Sequence, residues 1–159
     1  MCDFDGDVKT LGSIPEPLLQ ALEQRLQRDE EAWRNQDDKP NAFKVFAGNT
    51  EYVVFQFPVE RSWHVPARYF SCWEEWKALV LPIIDVATRG YGYRQGQTSR
   101  IMLARLLAGK QSLMHVDHTP SADVPHKIHV PLSTHPDIGF LIQDRRYHLA
   151  RGQAYEVNN

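Results

Sequence analysis

The sequence predicts an α+β fold in which helices come first and a β-sandwich or barrel follows. Apolar residues recur at helical spacing in the stretches 15–39 and 71–88, whereas the later part of the chain shows short strand-like runs between turns. The chain has 159 residues, of which 42% are apolar and 24% charged, as in an ordinary globular domain. We therefore expect a single domain over residues 1–159, with a supporting region at 1–97 and a β core at 98–159.

Charge and cysteine content argue against several classes of protein. The 18 basic and 20 acidic residues nearly balance, whereas a nucleic-acid or anionic-membrane surface needs clustered positive charge. No apolar run approaches the ~18 residues of a membrane-spanning helix, and the acidic N-terminus does not resemble a secretory signal. Cys2 and Cys72 do not make a disulfide framework. We expect a cytoplasmic protein without a nucleic-acid or membrane partner.

The first element is an amphipathic helix expected over residues 15–39. Its apolar positions, separated by charged residues, are Leu18, Leu19, Leu22, Leu26 and Trp33. Pro15 and Pro17 stand where a helix start tolerates proline, and Pro40 follows the expected end. The acidic residues 3–7 ahead of it are expected to form a flexible terminus.

A β-hairpin is expected next. The runs 43–46 and 51–57 are rich in aromatic and β-branched residues, and the turn-forming pair Gly48-Asn49 lies between them. This arrangement is typical of two antiparallel strands joined by a short turn.

A second helix is expected at residues 71–88. Ser71 is placed to cap its first turn, and Glu74 follows three residues later, as in a capping box. Gly90 and Gly92 are expected to end the helix, because glycine adopts the left-handed conformation common at helix ends.

Short strands are expected throughout the rest of the chain. The runs are SRIMLARLL, QSLMHV, HKIHVPL, DIGFLI, RRYHLA and GQAYEV. Turn-rich pieces such as Ala108-Gly109-Lys110 join them. This spacing favours a β-sandwich or barrel, with the chemistry inside the β part.

Histidine is concentrated in this β part, where six of the seven histidines follow residue 114. On an extended strand, the side chains of His115 and Asp117 project from the same face, so an imidazole and a carboxylate point to one spot. Such a pair is the first part of the two-histidine, one-carboxylate set that binds iron(II), and a distant strand must supply the second histidine. The alternative is that half-buried strands merely tolerate these histidines.

Basic residues accompany the motif. Lys127 and His129 alternate with Ile128 and Val130, so they share one face of the next strand and would offer a cation and an imidazole to an acidic ligand. Arg105 is a further cation, set among apolar residues. The alternatives are a solvated strand residue for Lys127 and a surface ion pair for Arg105.

The stretch from Ser99 to Asn159 resembles the aspartyl/asparaginyl β-hydroxylase family of iron(II)- and 2-oxoglutarate-dependent oxygenases. Five pieces occur in the family's order and with its separations: ARLLAG, MHVDH, KIHVPL, DIGF and GQAYEVNN. The match covers over a third of the chain, and the N-terminal part resembles the family's supporting helices and strands more loosely.

The resemblance implies a double-stranded β-helix core, of jelly-roll or cupin-like type, with flanking N-terminal helices. It implies that His115 and Asp117 hold iron(II) and that Lys127 and His129 bind the carboxylates of 2-oxoglutarate, with Arg105 expected to assist. Lys127 stands where the family commonly has arginine, and lysine lacks the planar two-pronged donor. The implied enzyme uses dioxygen (O2), converts 2-oxoglutarate to succinate, and hydroxylates an amino acid, a peptide, a protein or a related small molecule.

The sequence ends at Asn159, ahead of the positions where the family has the second iron histidine and a 2-oxoglutarate arginine. Two closing strands of the β-helix are expected beyond the same point. We expect a fragment or an omitted tail, because a β-helix without its closing strands exposes unpaired edges and core side chains. The alternatives are an inactive relative, acting as a catalytically silent cupin-like binding or interaction module, and a structural β-domain with incidental histidines.

Overall fold

The computed structural model describes residues 4–33, 48–59, 67–112 and 124–158. In chain order its elements are β1 (Val8–Ser13), α1 (Glu16–Arg28), β2 (Thr50–Pro58), β3 (Ala67–Tyr69), α2 (Trp73–Thr88), β4 (Ile101–Leu106), β5 (Ile128–His129), β6 (Phe140–Ile142), β7 (Arg145–Tyr147) and β8 (Gln153–Val157). Short 3₁₀ segments follow the helices at Glu30–Trp33 and Arg89–Tyr91. The predicted α+β class is confirmed.

The described strands form antiparallel sheets. Two sheets have three strands each, in the orders β1-β8-β5 and β3-β2-β4, and β6 pairs with β7 as a two-stranded sheet. Each three-stranded sheet takes strands from both sides of residue 97, so backbone hydrogen bonds join the expected supporting region to the expected β core. A double-stranded β-helix stays a prediction.

One apolar cluster joins both helices to both three-stranded sheets. Its buried members include Leu19 and Leu22 of α1, Trp76, Val80 and Ile83 of α2, Val53 and Phe55 of β2, and Ala154 of β8. A second, smaller cluster contains Tyr52, Val54 and Phe57 of β2. Because β2 is buried on both faces, its sequence is a continuous apolar run rather than an alternating one.

A register shift in β2 explains which cluster each side chain joins. The pairing with β4 skips Phe55 between Val54 and Gln56, as in a β-bulge. The extra residue reverses the alternation of side chains beyond it. Phe57 therefore joins the cluster of Val54 rather than that of Phe55.

The first helix is shorter than expected, because it ends at Arg28 rather than at residue 39. Asp29 leaves the helical conformation, with φ −124° and ψ 64°, and its carboxylate accepts a hydrogen bond from the Ala32 backbone N–H at 3.1 Å. This local bond starts the 3₁₀ turn that ends at Trp33, which is buried as its position predicts. Residues 34–39 lie outside the described residues.

The expected capping box of the second helix is wrong. The helix begins at Trp73, Cys72 occupies the N-cap position, and no side chain there makes a capping hydrogen bond. The Cys72 thiol donates instead to the Val54 carbonyl, and Glu74 pairs with Lys77 one turn along. The far end is as predicted: Gly92, with φ 65°, closes the 3₁₀ turn that follows the helix.

Part of the acidic stretch expected to be a flexible terminus is held in the fold, because Asp7 is buried and bonded to Arg145 and Tyr147. A strand that was not predicted follows it. Residues Val8–Ser13 form β1, which pairs with β8 from Val8 opposite Val157 to Ser13 opposite Gln153. The register shifts at Gly12, whose φ of 133° suits glycine. Apolar and polar residues alternate only weakly in β1, so its extended conformation depends on pairing with β8.

The strand predictions are confirmed for the described runs. Strands β4 to β8 coincide with five of the six runs expected after residue 98, and β2 coincides with the second half of the expected hairpin. The run 43–46 and most of QSLMHV lie outside the described residues, so these two predictions are not tested. Within the described ranges, no helix combines the length and the apolarity needed to cross a membrane.

Candidate functional site

The two expected iron ligands, His115 and Asp117, lie outside the described residues. Among the residues that the structure does describe, no group of three or more His, Cys, Asp or Glu side chains is gathered closely enough to hold a metal ion. The metal part of the expected site therefore stays a prediction, and the structure describes only the residues expected to bind the cosubstrate.

The structure supports the expected common face of Lys127 and His129. In β5, Ile128 stands opposite Glu156 and His129 opposite Tyr155 of β8. Ile128 and Val130 pack against the cluster shared with the helices. Since side chains alternate along a strand, Lys127 and His129 belong to the face that points away from the helices.

Aromatic groups surround His129 on that face. Its ring meets the ring of Phe140 from β6 edge-on, with centroids 5.2 Å apart. The cross-strand neighbour Tyr155 is held in place because its hydroxyl accepts a hydrogen bond from the Ala150 backbone N–H at 3.1 Å. This face thus offers an ammonium group, an imidazole and a phenol, a set suited to an acidic ligand.

Arg105 forms ion pairs with acidic side chains, which was the alternative interpretation of this residue in the sequence analysis. Its guanidinium donates to Glu30 at 2.6 and 3.0 Å and to Glu51 at 2.8 Å, and it stacks 4.5 Å from the ring centroid of Trp33. The hydrogen bonds with Glu30 lead the effects that raise the pKa of Arg105 above its ordinary value. These contacts tie β4 to the turn after α1, so the structure does not bring Arg105 to Lys127.

The structure also gathers a polar cluster that sequence analysis missed, on the helix side of β8. Glu156 is only 1% exposed. One of its carboxylate oxygens bonds Nδ1 of His126, and the other accepts a hydrogen bond from the Tyr91 hydroxyl at 2.7 Å. The Tyr93 hydroxyl lies 2.7 Å from Nε2 of His126. The rings of Tyr91 and His126 stack with centroids 4.2 Å apart. We call these four residues the Glu156 cluster.

The electrostatics of the cluster favour a charged carboxylate. Burial alone would raise the pKa of Glu156, but hydrogen bonds from Tyr91 and His126, and the positive charges of His126 and Lys9, outweigh it and hold the pKa below its ordinary value. Lys9 stands opposite Glu156 in β1. The buried carboxylate is thus compensated by groups from separate parts of the chain, as a buried charge requires.

One signal pointed to Glu156 in the sequence. It alternates with Ala154 in the run GQAYEV, so a strand that buries Ala154 must also bury a carboxylate. No comparable signal identifies its partners, because Tyr91 and His126 are distant from it in the chain.

A second buried carboxylate lies where β1 meets the β6-β7 hairpin. Asp7 is 8% exposed and accepts hydrogen bonds from Nη2 of Arg145 at 2.8 Å and from the Tyr147 hydroxyl at 2.6 Å. The hydrogen bond to Asp7 leads the effects that raise the pKa of Tyr147. These bonds attach the hairpin to the N-terminal segment.

The chain was compared with known protein families, with curated proteins and with solved structures, and none of these comparisons found a match. The described residues define an α+β protein with antiparallel sheets. Membership of the hydroxylase family stays a prediction from the sequence motifs.

Proposed function

We propose that this chain carries part of the active site of an iron(II)- and 2-oxoglutarate-dependent oxygenase that hydroxylates an amino acid, free or within a peptide or protein. The observation that carries the proposal is the ordered series of five sequence pieces around His115, Asp117, Lys127 and His129. The geometry adds support, because strands β5 and β8 lie within the pieces KIHVPL and GQAYEVNN and are hydrogen-bonded to each other.

The proposed cosubstrate face consists of Lys127 and His129 with Tyr155 beside them. An ammonium group attracts a carboxylate of 2-oxoglutarate, and the imidazole adds a hydrogen bond. Lys127 acts as a point charge without the rigid fork of arginine, so its contact depends on neighbours that orient the ligand. Arg105 is left out of the proposal, because Glu30 and Glu51 already hold its guanidinium.

His115 and Asp117 would hold the metal. An imidazole and a carboxylate are donors that suit iron(II) and leave coordination positions for other ligands. Bound iron together with 2-oxoglutarate and O2 supplies the oxidising chemistry. The protein's own residues would bind and orient the cosubstrate.

The test measures binding and turnover on the intact protein, because the proposal gives this chain only part of the active site. Iron(II) binding and 2-oxoglutarate binding are followed by anaerobic calorimetry, and succinate release is screened over amino acids and peptides. We expect His115→Ala to abolish iron-dependent succinate release and Lys127→Ala to weaken 2-oxoglutarate binding by about tenfold or more, with recovery in Lys127→Arg. Lys77→Ala, on the exposed side of α2, is the matched lysine control.

Two results would contradict the proposal. Full turnover in His115→Ala removes that histidine from the metal site. Binding of iron and 2-oxoglutarate by the unaltered intact protein, without succinate from any substrate offered, favours the catalytically silent cupin-like module instead.

A further inference from the structure

Strand β5 is too short to determine its own position firmly. It consists of Ile128 and His129, and within the described residues its hydrogen-bonded neighbour is β8. The flanking backbone adds two bonds, from the Val157 N–H to the Lys127 carbonyl at 2.9 Å and from the Gly152 N–H to the Pro131 carbonyl at 2.8 Å. A strand with so few ladder bonds is weakly specified in register unless side chains specify it.

A slip of β5 by one residue would exchange its two faces. In the observed register Ile128 stands opposite Glu156, whereas a slip would place Lys127 or His129 there. Either basic side chain would give the buried carboxylate a partner, so charge alone does not exclude the slipped registers. The same slip would turn the proposed cosubstrate residues toward the helices.

The Glu156 cluster distinguishes the observed register from the slipped ones. His126 precedes β5 and shares the face of Ile128, which places its imidazole between Glu156 and Tyr93. The cluster satisfies its polar groups when Nδ1–H of His126 and the Tyr91 hydroxyl both donate to Glu156, while the Tyr93 hydroxyl pairs with Nε2. A slipped strand would lose both bonds of the imidazole and its stacking on Tyr91.

We infer that His126 is a positioning residue, which Glu156, Tyr91 and Tyr93 hold so that β5 keeps its register and Lys127 and His129 face away from the helices. The effect of His126 on 2-oxoglutarate binding rests on the proposed function. Its effect on the register of β5 does not rest on that function and is tested separately.

The register is tested by amide hydrogen exchange on the full chain. His126→Leu removes the donor to Glu156, whereas His126→Asn keeps an N–H at the place of Nδ1. We expect the Val157 amide to exchange about tenfold faster in His126→Leu and within about threefold of the unaltered rate in His126→Asn. The Leu107 amide, bonded to the Asn49 carbonyl at 2.9 Å in the other sheet, is the internal reference and should not change.

Unchanged exchange at Val157 in His126→Leu overturns the inference. If that variant also loses protection at Leu107, it has unfolded more widely, and Tyr93→Phe decides instead. This milder variant removes one hydroxyl at an exposed position, and we expect faster exchange at Val157 with an unchanged Leu107. No acceleration at Val157 in that variant overturns the inference as well.

The effect on the ligand is tested by 2-oxoglutarate titration. We expect its Kd to rise about tenfold in His126→Leu and to recover in His126→Asn, because the amide restores the donor that holds β5 in register. A Leu variant that binds 2-oxoglutarate as tightly as the unaltered chain overturns the positioning role. If the unaltered chain does not bind 2-oxoglutarate, the proposed function fails while the exchange result still decides the role in register.

Discussion

The two three-stranded sheets bury different kinds of side chain in their central strands. In β2 the six residues from Tyr52 to Phe57 are all buried, and the single polar one, Gln56, accepts a hydrogen bond from the Thr98 hydroxyl at 2.6 Å. In β8 the buried residues include the charged Glu156. The first sheet is stabilised by apolar packing on both faces, and the second contains a carboxylate that needs partners.

This difference matters for specificity. An apolar interior accepts many arrangements of similar volume, so β2 gains free energy from burial without demanding particular neighbours. A buried carboxylate accepts few arrangements, because each oxygen needs a donor with the right geometry. The sheet that contains Glu156 is therefore the one in which single polar substitutions are expected to change structure as well as stability.

The largest expected effect is in the apolar sheet. Phe55 is 0% exposed and packs against Trp73 and Trp76, so Phe55→Ala should lower the free energy of unfolding by about 3–5 kcal/mol. Urea denaturation followed by circular dichroism measures it. The control is Leu141→Ala, at a residue 57% exposed, which should change stability by less than about 0.5 kcal/mol. A loss below about 1 kcal/mol for Phe55→Ala would mean that apolar packing does not dominate this sheet.

An intermediate effect is expected in the charged sheet. Glu156→Gln should lower stability at neutral pH by about 1–3 kcal/mol, because the amide keeps the shape but not the charge that Tyr91 and His126 stabilise. The folded-state pKa of Glu156 lies below its ordinary value of 4.5, so this contribution is complete above that value. It disappears as the pH falls through the lower folded-state pKa.

The pH dependence is measured as the difference in urea midpoint between the unaltered chain and Glu156→Gln, from neutral pH down into the acid range below 4.5. Taking the difference cancels the titration of other carboxylates. We expect the difference to shrink with acidification. A difference that stays constant into the acid range would show that the charge of Glu156 does not contribute to stability.

The smallest expected effect concerns Arg105. Arg105→Lys keeps the charge but loses the planar contact with Trp33 and the paired bonds to Glu30, which should cost about 1 kcal/mol. Thermal unfolding measures this loss. The same variant should bind 2-oxoglutarate as the unaltered chain does, and weaker binding would return Arg105 to the cosubstrate site.

The elements with strong local periodicity could be predicted from the sequence. Both helices and strands β2 and β4 to β8 were visible as spacing of apolar residues, although α1 ended early because Asp29 bonds to Ala32 rather than continuing the helix. Strand β1 could not be predicted, since its extended form depends on pairing with β8 at the other end of the described chain. Local pattern carries no information about such a partner.

The face of Lys127 and His129 and the Glu156 cluster also differ in how far the sequence predicts them. The common face of Lys127 and His129 follows from the alternation of a strand and was predicted. The Glu156 cluster depends on which distant segments the fold brings together, and only the burial of Glu156 was implied locally. Arg105 shows the reverse case, in which a cation among apolar residues meets acidic partners that its own stretch of sequence does not reveal.

The pairing of Val8 with Val157 has a consequence for biosynthesis. A ribosome makes β1 first and its partner β8 much later, and at roughly 5–20 residues per second this interval is on the order of ten seconds. During that time the nascent β1 has no strand to pair with, while the segments of β2 and α2 have already emerged. Closing so distant a contact is slow, so we expect the sheet that contains β1 to form only after β8 has been made.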